Sequence, residues 1–240
     1  MKGRGAGCLA PRWVSAIDVP LRDRDSGPAS GSEMSLHDPL NLPPDLPVPR
    51  DDGGARHLAG IRAPDLALAA TDGGSVDLSR LPGRTVVYVY PRTGRPGVPL
   101  PDGWDAIPGA RGCTPQSCGF RDHLRELEAL GVARVYGLST QDSEYQREAV
   151  ERLHLPFPLL SDAGLELQRA LRLPSFQLDG MTLLKRLVLV VDDGTIVHVF
   201  YPVFPPDRSA EEVIAWIRVR SSKRPLPEGF KFDRDEANER

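Results

Sequence analysis

The hydrophobic positions of this chain follow two periods, and one of them predicts strands. Residues 85–90 carry β-branched and aromatic side chains without polar alternation, which is typical of a strand buried on both faces. An Asp-Asp-Gly turn at 192–194 separates two apolar runs and predicts a β-hairpin. The strands predicted in this way are 65–69, 75–78, 85–90, 134–138, 186–191 and 195–201.

A helical period predicts four helices between and after these strands. Thr114 and Pro115 suit the first positions of a helix, and apolar residues three or four apart then share one face as far as Gly131. Two capping boxes, beginning at Ser143 and Ser209, mark the starts of later helices. The predicted helices are 114–130, 143–153, 162–171 and 209–220.

This order of elements predicts an α/β fold with a mixed central sheet flanked by helices, in one domain over 59–220. Residues 1–58 have no sustained period and many prolines, so they bury too little apolar surface to offset their ordering entropy and are predicted to be a disordered leader. Met34 is an alternative start of translation. Residues 221–240 are predicted to be a charged tail.

Composition and charge narrow the partners and the compartment. The net charge of −3 gives no basic footprint for nucleic acid. The longest purely apolar run, 187–191, is far shorter than the ~20 residues of a membrane-spanning helix. Three cysteines do not make the disulfide framework of a secreted fold. We therefore predict no nucleic-acid or membrane partner and a reducing compartment, the cytoplasm.

Cys113 is the first candidate for chemistry, because it comes just before a predicted helix and after a buried strand and a long loop. The positive end of a helix dipole favours a thiolate, and Arg111 or another arginine folded nearby would favour it further. A cysteine in this position is a candidate nucleophile. The alternatives are a buried small apolar residue or a zinc ligand, but a zinc site needs about four ligands and no Cys-x-x-Cys pair is present. We predict no metal.

Cys118 lies five residues further along the same predicted helix. In an intact helix the rise between the two cysteines is roughly 7.5 Å and their side chains point about 140° apart. A disulfide needs Cα atoms within about 4.4–6.8 Å, so the pair can bridge only if the first turn unwinds. Such a disulfide would switch the protein between two conformations.

The segment 112–122, Gly-Cys-Thr-Pro-Gln-Ser-Cys-Gly-Phe-Arg-Asp, with Tyr-Pro-Arg at 90–92 before it, resembles the active-site segment of peroxiredoxins. The branch it is similar to is the peroxiredoxin Q or bacterioferritin comigratory protein type. The resemblance extends over about 60–218 and includes the segments 137–140, 158–162, 185–192 and 195–200. It implies a thioredoxin-like fold and a thiol-dependent reduction of hydrogen peroxide or organic hydroperoxides without a cofactor.

The resemblance also implies a role for three residues. Cys113 matches the peroxidatic cysteine, which attacks the peroxide O–O bond and becomes a sulfenic acid. Cys118 matches the resolving cysteine, which forms a disulfide that thioredoxin or another dithiol reduces. Arg186 matches the strand arginine that stabilises the thiolate and holds the peroxide, since its charge is permanent. Resolution within one chain needs no partner subunit, so we expect a monomer.

The sequence departs from the family pattern just before Cys113. The loop 92–112 is much longer than the family spacing between Pro91 and the cysteine, and Ala110 stands where the family has a threonine or serine hydroxyl. Thr93 is a candidate to supply that hydroxyl if the loop folds outward and returns. Pro108 is a candidate to pack over the site in place of Pro91.

The inserted loop leaves the function open to other interpretations. Trp104 and Asp105 either cover the site or contact a partner, or else the loop is a surface loop with one buried aromatic residue. One alternative function is a non-catalytic redox sensor or interaction module that uses this loop as its surface. Another is a thiol–disulfide oxidoreductase of the same fold, but that class is expected to carry Cys-x-x-Cys and the spacing here is Cys-x4-Cys. Catalytic turnover of peroxide separates the three.

Overall fold

The computed structural model describes residues 42–43 and 45–221. Its strands are β1 (Ala67–Ala70), β2 (Ser75–Asp77), β3 (Arg84–Val89), β4 (Val132–Ser139), β5 (Leu159–Ser161), β6 (Ser175–Leu178), β7 (Met181–Leu184), β8 (Leu187–Asp192) and β9 (Thr195–Phe200). Its helices are α1 (Cys113–Asp122), α2 (Leu124–Ala129), α3 (Ser143–Leu153), α4 (Glu166–Leu171) and α5 (Ser209–Ser221). No helix in these ranges is long and apolar enough to cross a membrane.

Seven strands form one sheet in the order β2-β1-β5-β4-β3-β8-β9. β3 and β4 are parallel, as are β4 and β5, because helices connect them as crossovers. β8 runs antiparallel to β3, and β9 returns antiparallel to β8 through the predicted hairpin. The predicted mixed central sheet flanked by helices is therefore confirmed.

β3 lies inside this sheet, between β4 and β8, and has one layer of the core on each face. Its side chains alternate, so Val87 and Val89 join one cluster, while Val86 and Tyr88 join the other. The second cluster includes apolar residues of α1, α2, α3 and α5. Both faces of β3 are covered, which is why its sequence has no polar alternation. The layer under α1 is the one that carries the candidate cysteines.

The helix predicted over 114–130 is two helices in the structure. α1 begins at Cys113, one residue before the prediction, because Gly112 rather than Thr114 is the N-cap. α1 ends at Asp122, and α2 begins after His123, whose backbone leaves the helical region. The apolar spacing continues across the break through Phe120, Leu124 and Leu127, so periodicity could not show it.

The hairpin of β6 and β7 was not predicted. It forms a separate two-stranded sheet in which Leu178 pairs with Met181. Asp179 and Gly180 make the turn, both with positive φ. An Asp-Gly pair between apolar runs is a hairpin signal, so the sequence contained the information. β5 was also missed, because a three-residue strand is too short for a period.

The predicted boundary between leader and domain is wrong by several residues. Ala55 and Leu58 are buried in the core, although both fall within the segment 1–58. Asp52 accepts hydrogen bonds from Lys185 Nζ at 2.6 Å and from Tyr201 Oη at 2.8 Å. Because apolar burial and polar contacts are spread over non-periodic residues, the sequence did not indicate them. Residues 1–41 with Met34, residue 44 and residues 222–240 lie outside the described residues.

Candidate active site

Cys113 is the first residue of α1, and Gly112 before it has a φ of 99°. The first hydrogen bond of the helix runs from Gln116 N to Gly112 O at 3.0 Å. Pro115 has no N–H, so the N–H groups of Cys113 and Thr114 are the donors that the helix leaves unused at this end. The sulfur of Cys113, which is 4% exposed, therefore lies at the positive end of the helix.

Arg186 brings a cation to this sulfur from the start of β8. Its Nη2 donates to Cys113 Sγ at 3.2 Å and also to the carbonyl oxygens of Ala110 and Arg111 at 3.2 and 2.9 Å. Its Nη1 donates to Gln116 Oε1. The guanidinium is buried and held on several sides, so it is a fixed positive charge next to the sulfur.

Gln116 is a site residue that the sequence interpretation missed. Its side chain is fully buried and links Arg186 to Ser209, whose Oγ accepts from Gln116 Nε2 at 3.3 Å. Gln116 comes three residues after Cys113, which places it on the same face of α1. That spacing was available, but only the fold shows that Arg186 is its partner.

A narrow cavity of about 20 Å³ adjoins Cys113. Its volume suits a group the size of a water molecule, and so the head of a peroxide rather than a bulky substrate. Most of its wall comes from the inserted loop and the start of α1. The lining residues are Leu42, Arg92, Gly94, Leu100, Trp104, Ala110, Arg111, Gly112, Cys113 and Thr114.

The inserted loop is packed onto the domain and covers the site. Trp104 is 4% exposed, lies against Phe176 with ring centroids 6.5 Å apart, and shares a cluster with Ala110. Asp105 forms an ion pair with Arg111 just before the cysteine. Trp104 is thus both the buried aromatic residue of the loop and part of the cavity wall. The arginine at the sulfur is Arg186 rather than Arg111.

A redoxin family model matches residues 58–214. The chain belongs to the redoxin family. Among its relatives, peroxiredoxin Q of Oryza sativa subsp. japonica is 33% identical over 157 residues. The match covers 65% of this chain but spans only 64% of that protein's length. Peroxiredoxin Bcp of Escherichia coli is 32% identical, with 67% of this chain and 95% of that protein covered. The resemblance to peroxiredoxins of the Q or Bcp type is therefore confirmed.

Solved structures confirm the thioredoxin-like fold of this peroxiredoxin. The peroxidoxin BcpB of Mycobacterium tuberculosis is 26% identical, with a TM-score of 0.54 and coverage of 67% of this chain and 96% of that one. A bacterioferritin comigratory protein of Xanthomonas campestris, described for its alkyl peroxide reduction activity, is 21% identical with a TM-score of 0.51. It covers 65% of this chain and 92% of its own, and it supports the fold alone.

The structure does not bring Thr93 to the cavity of this peroxiredoxin. Thr93 Oγ1 donates to Gln141 Oε1 at 3.1 Å, and Thr93 N donates to the same oxygen at 2.8 Å. The loop holds Thr93 beside the start of α3, so its hydroxyl is not the replacement that the sequence suggested. Pro108 lines a different cavity, of about 200 Å³, beside Arg186. Ala110 has no side-chain hydroxyl, and its carbonyl oxygen lies 3.6 Å from Cys113 Sγ.

Cys118 lies half-buried in the same helix, and both cysteines are free thiols. Burial raises the pKa of the Cys118 thiol, although the nearby Arg121 acts in the opposite direction. Since both residues belong to α1, the separation expected for an intact helix holds and a disulfide needs the helix to unwind. Burial thus favours the protonated thiol of Cys118, and the intact helix keeps it away from Cys113.

Little of the stability of α1 comes from local helix propensity. It contains Thr114, Ser117 and Gly119, which are weak helix formers. Packing holds it instead: Phe120 stacks on Tyr88 with ring centroids 4.7 Å apart, and Tyr88 Oη donates to Ser117 Oγ at 3.1 Å. Burial raises the pKa of Tyr88, so its phenol remains a donor. Unwinding of its first turn would therefore have to break packing contacts rather than strong local helix propensity.

Gly112→Ala is expected to destabilise the fold strongly. An added Cβ would lie 2.2 Å from Pro206 Cγ, and the φ of 99° strains any residue with a side chain. We expect a loss of about 2–5 kcal/mol in the free energy of unfolding, measured by denaturant titration. Gly103→Ala is the matched control, because Gly103 has a φ of 73° but no atom within 4 Å of its Cβ. Equal losses in the two variants would contradict the clash.

Proposed function

We propose that this protein is a thiol peroxidase that reduces hydrogen peroxide or organic hydroperoxides through Cys113. The observation that carries the proposal is the 3.2 Å contact between Arg186 Nη2 and Cys113 Sγ at a helix N-terminus. A permanent cation and two unused N–H groups stabilise a thiolate there, and the narrow cavity gives a peroxide access to it.

The first step is an attack of the Cys113 thiolate on one peroxide oxygen. The S–O bond forms as the O–O bond breaks, and the other oxygen leaves as an alcohol or water after taking a proton. Negative charge moves from sulfur to the leaving oxygen during this step. Arg186 is fixed by Gln116 and by carbonyl oxygens, so it stabilises that charge without reorganising.

The second step joins Cys118 to the sulfenic acid of Cys113. The Cys118 sulfur forms the S–S bond and the hydroxyl of the sulfenic acid leaves as water. The first turn of α1 must unwind for this step, and its weak helix formers Thr114 and Ser117 favour that. A dithiol such as thioredoxin then reduces the disulfide by two successive exchanges. We propose a monomer, since both cysteines lie in one chain. We also propose the cytoplasm as its compartment, because free thiols suit a reducing environment.

Turnover decides between this function and its alternatives. Purified protein is mixed with an excess of hydrogen peroxide and dithiothreitol, then with thioredoxin and its reductase, and peroxide is measured over time. A peroxidase consumes many equivalents, whereas a redox sensor consumes one and stops. A disulfide oxidoreductase acts on a protein disulfide such as insulin but not on peroxide. Consumption of one equivalent only, with Cys113 oxidised, would refute the proposal in favour of the sensor.

Cys118→Ser is expected to separate the two steps. Turnover with thioredoxin should fall by about tenfold or more, because no intramolecular disulfide is available to the reductant. The rate of the first oxidation should stay within about threefold, because Cys118 does not contact the Cys113 sulfur. Stopped-flow oxidation and dimedone trapping of the sulfenic acid on Cys113 measure these effects. Full turnover in Cys118→Ser would mean that Cys118 is not the resolving residue.

A further inference from the structure

Neither Ala110 nor Thr93 supplies a side-chain hydroxyl to the sulfur of Cys113. Ala110 is buried and presents only a carbonyl oxygen to the sulfur. Thr93 donates its hydroxyl to Gln141. A peroxide bound at Cys113 therefore lacks the side-chain hydroxyl that these positions would have supplied, unless another residue of the cavity carries one.

Thr114 is a residue of the cavity that carries a hydroxyl. It follows Cys113 in the first turn of α1, is 3% exposed, and lines the same cavity as the sulfur. Its hydroxyl has no hydrogen-bond partner among the described residues. Such a hydroxyl in the first turn of a helix is usually bonded or solvated, so its bonding capacity is available for a ligand.

The oxygen of Thr114 is also not sealed in the core. Within the described ranges, the buried side-chain polar atoms that have neither a partner nor contact with accessible space belong to Thr85, Arg95 and Arg186. The Thr114 oxygen is not one of them, although it has no partner. It therefore has contact with accessible space, and Thr114 is among the residues that line the cavity beside Cys113.

We propose that Thr114 is a further catalytic residue, whose hydroxyl binds the peroxide and replaces the hydroxyl missing at Ala110. The proposal rests on the peroxidase function proposed above. A hydroxyl both accepts and donates a hydrogen bond. It can accept the O–H of the hydroperoxide and donate its own proton to the oxygen on which charge develops.

This dual capacity distinguishes Thr114 from the cations around the site. Arg186 and Arg92 carry only donors, so neither can accept the hydroperoxide proton. Arg92 also lines the cavity, but its Nη1 contacts Met181 Sδ at 3.2 Å and its guanidinium lies 5.5 Å from the centre of the Tyr145 ring. Arg186 supplies a cation to the sulfur, and Thr114 supplies a group that both donates to and accepts from the peroxide.

In the reaction of Cys113 with peroxide, sulfur donates the electron pair, the S–O bond forms and the O–O bond breaks. The Thr114 hydroxyl keeps its own proton overall, because the hydroperoxide proton and a solvent proton complete the alcohol or water and the sulfenic acid. Loss of the hydroxyl therefore slows the reaction with peroxide only. It leaves the thiolate itself, which Arg186 stabilises, unchanged.

The test compares two reactions of Cys113 in the reduced full-length protein. Stopped-flow mixing gives the rate constant for hydrogen peroxide, and peptide mass spectrometry gives the rate of alkylation of Cys113 by iodoacetamide, which needs a thiolate but no peroxide contact. For Thr114→Val, which keeps the side-chain shape, we expect peroxide oxidation to slow by about 10- to 100-fold and alkylation to stay within about twofold. Thr114→Ser should restore peroxide oxidation to within about threefold.

Several results would overturn this inference while leaving the peroxidase proposal intact. They are an unchanged peroxide rate in Thr114→Val, an equal fall of both rates, or a failure of Thr114→Ser to restore oxidation. Thr93→Val is the matched control, since Thr93 bonds Gln141 instead, and a fall there with none in Thr114→Val would return the role to Thr93. If Thr114→Val does not fold, Thr114→Ala is measured against the same criteria. A wild-type protein inert to peroxide would overturn both proposals.

Discussion

Cys113→Ser is expected to abolish peroxide turnover, with a loss of more than about 10³-fold. A serine hydroxyl stays protonated beside Arg186, so the variant presents no anion to the peroxide. Oxygen is also a far weaker nucleophile toward a peroxide than a thiolate sulfur. The helix N-terminus and the cation remain in place, but they have nothing to stabilise. Peroxide consumption with thioredoxin, thioredoxin reductase and NADPH measures the effect.

The fold of the Cys113→Ser variant should persist, which makes the loss interpretable. The serine side chain is only slightly smaller than that of cysteine. Arg186 also keeps its hydrogen bonds to Gln116 and to the carbonyl oxygens of Ala110 and Arg111. Denaturant titration should therefore show a change in unfolding free energy of no more than about 2 kcal/mol. Cys118→Ser, measured in parallel, still consumes one equivalent of peroxide. Turnover by Cys113→Ser would place the nucleophile elsewhere in the chain.

Arg186→Lys is expected to lower the rate of peroxide oxidation by about 10²- to 10³-fold while preserving the positive charge. The ammonium of lysine is a point charge, so it cannot hold Cys113 Sγ, Gln116 Oε1 and the Arg111 carbonyl oxygen at once. The thiolate then loses its fixed partner, and alkylation of Cys113 by iodoacetamide should slow as well. That joint fall distinguishes Arg186 from Thr114, whose loss affects peroxide alone.

Arg84→Lys is the matched control for Arg186→Lys. Arg84 lies at the start of β3 in the sheet that also contains β8, and it holds Asp192 with two hydrogen bonds of 2.8 Å, away from the cysteine. We expect its rate of peroxide oxidation to stay within about twofold of the wild type, since no contact of Arg84 reaches the cavity. If Arg84→Lys and Arg186→Lys lowered the rate equally, a general loss of sheet rigidity would explain both.

The inserted loop shows how far the sequence could predict the site and where it stopped. Ala110 lacks a hydroxyl in any fold, so the departure from the family pattern was visible in the sequence. The residue that compensates for the missing hydroxyl was not visible in the sequence, because it depends on where a long loop returns to the domain. Thr93 looked equivalent in sequence terms, yet the loop places it beside Gln141. Thr114 follows Cys113 in the motif, but the sequence assigned it no role. The structure shows that it lines the cavity beside the sulfur.

The sequence by itself determined the elements whose signal is local or continuous. The apolar run of β3, the turn before β9 and the small residues at the start of α1 each suit one backbone conformation. They were enough to predict a mixed α/β sheet and a cysteine at a helix N-terminus. The spacing of the two cysteines likewise implied that a disulfide requires unwinding.

Only the tertiary structure decided which distant residues meet. Arg186 and Cys113 are 73 positions apart, and their contact exists because β8 pairs with β3, next to the loop that leads into α1. Gln116 as the support of Arg186 and Trp104 as the cavity wall depend on the same packing. Side-chain periodicity reports which face of an element is buried, but not what it is buried against. The chemistry of this site depends on those contacts between residues that are far apart in the sequence. The sequence therefore indicated the nucleophile, and only the tertiary structure determined which groups lie around it.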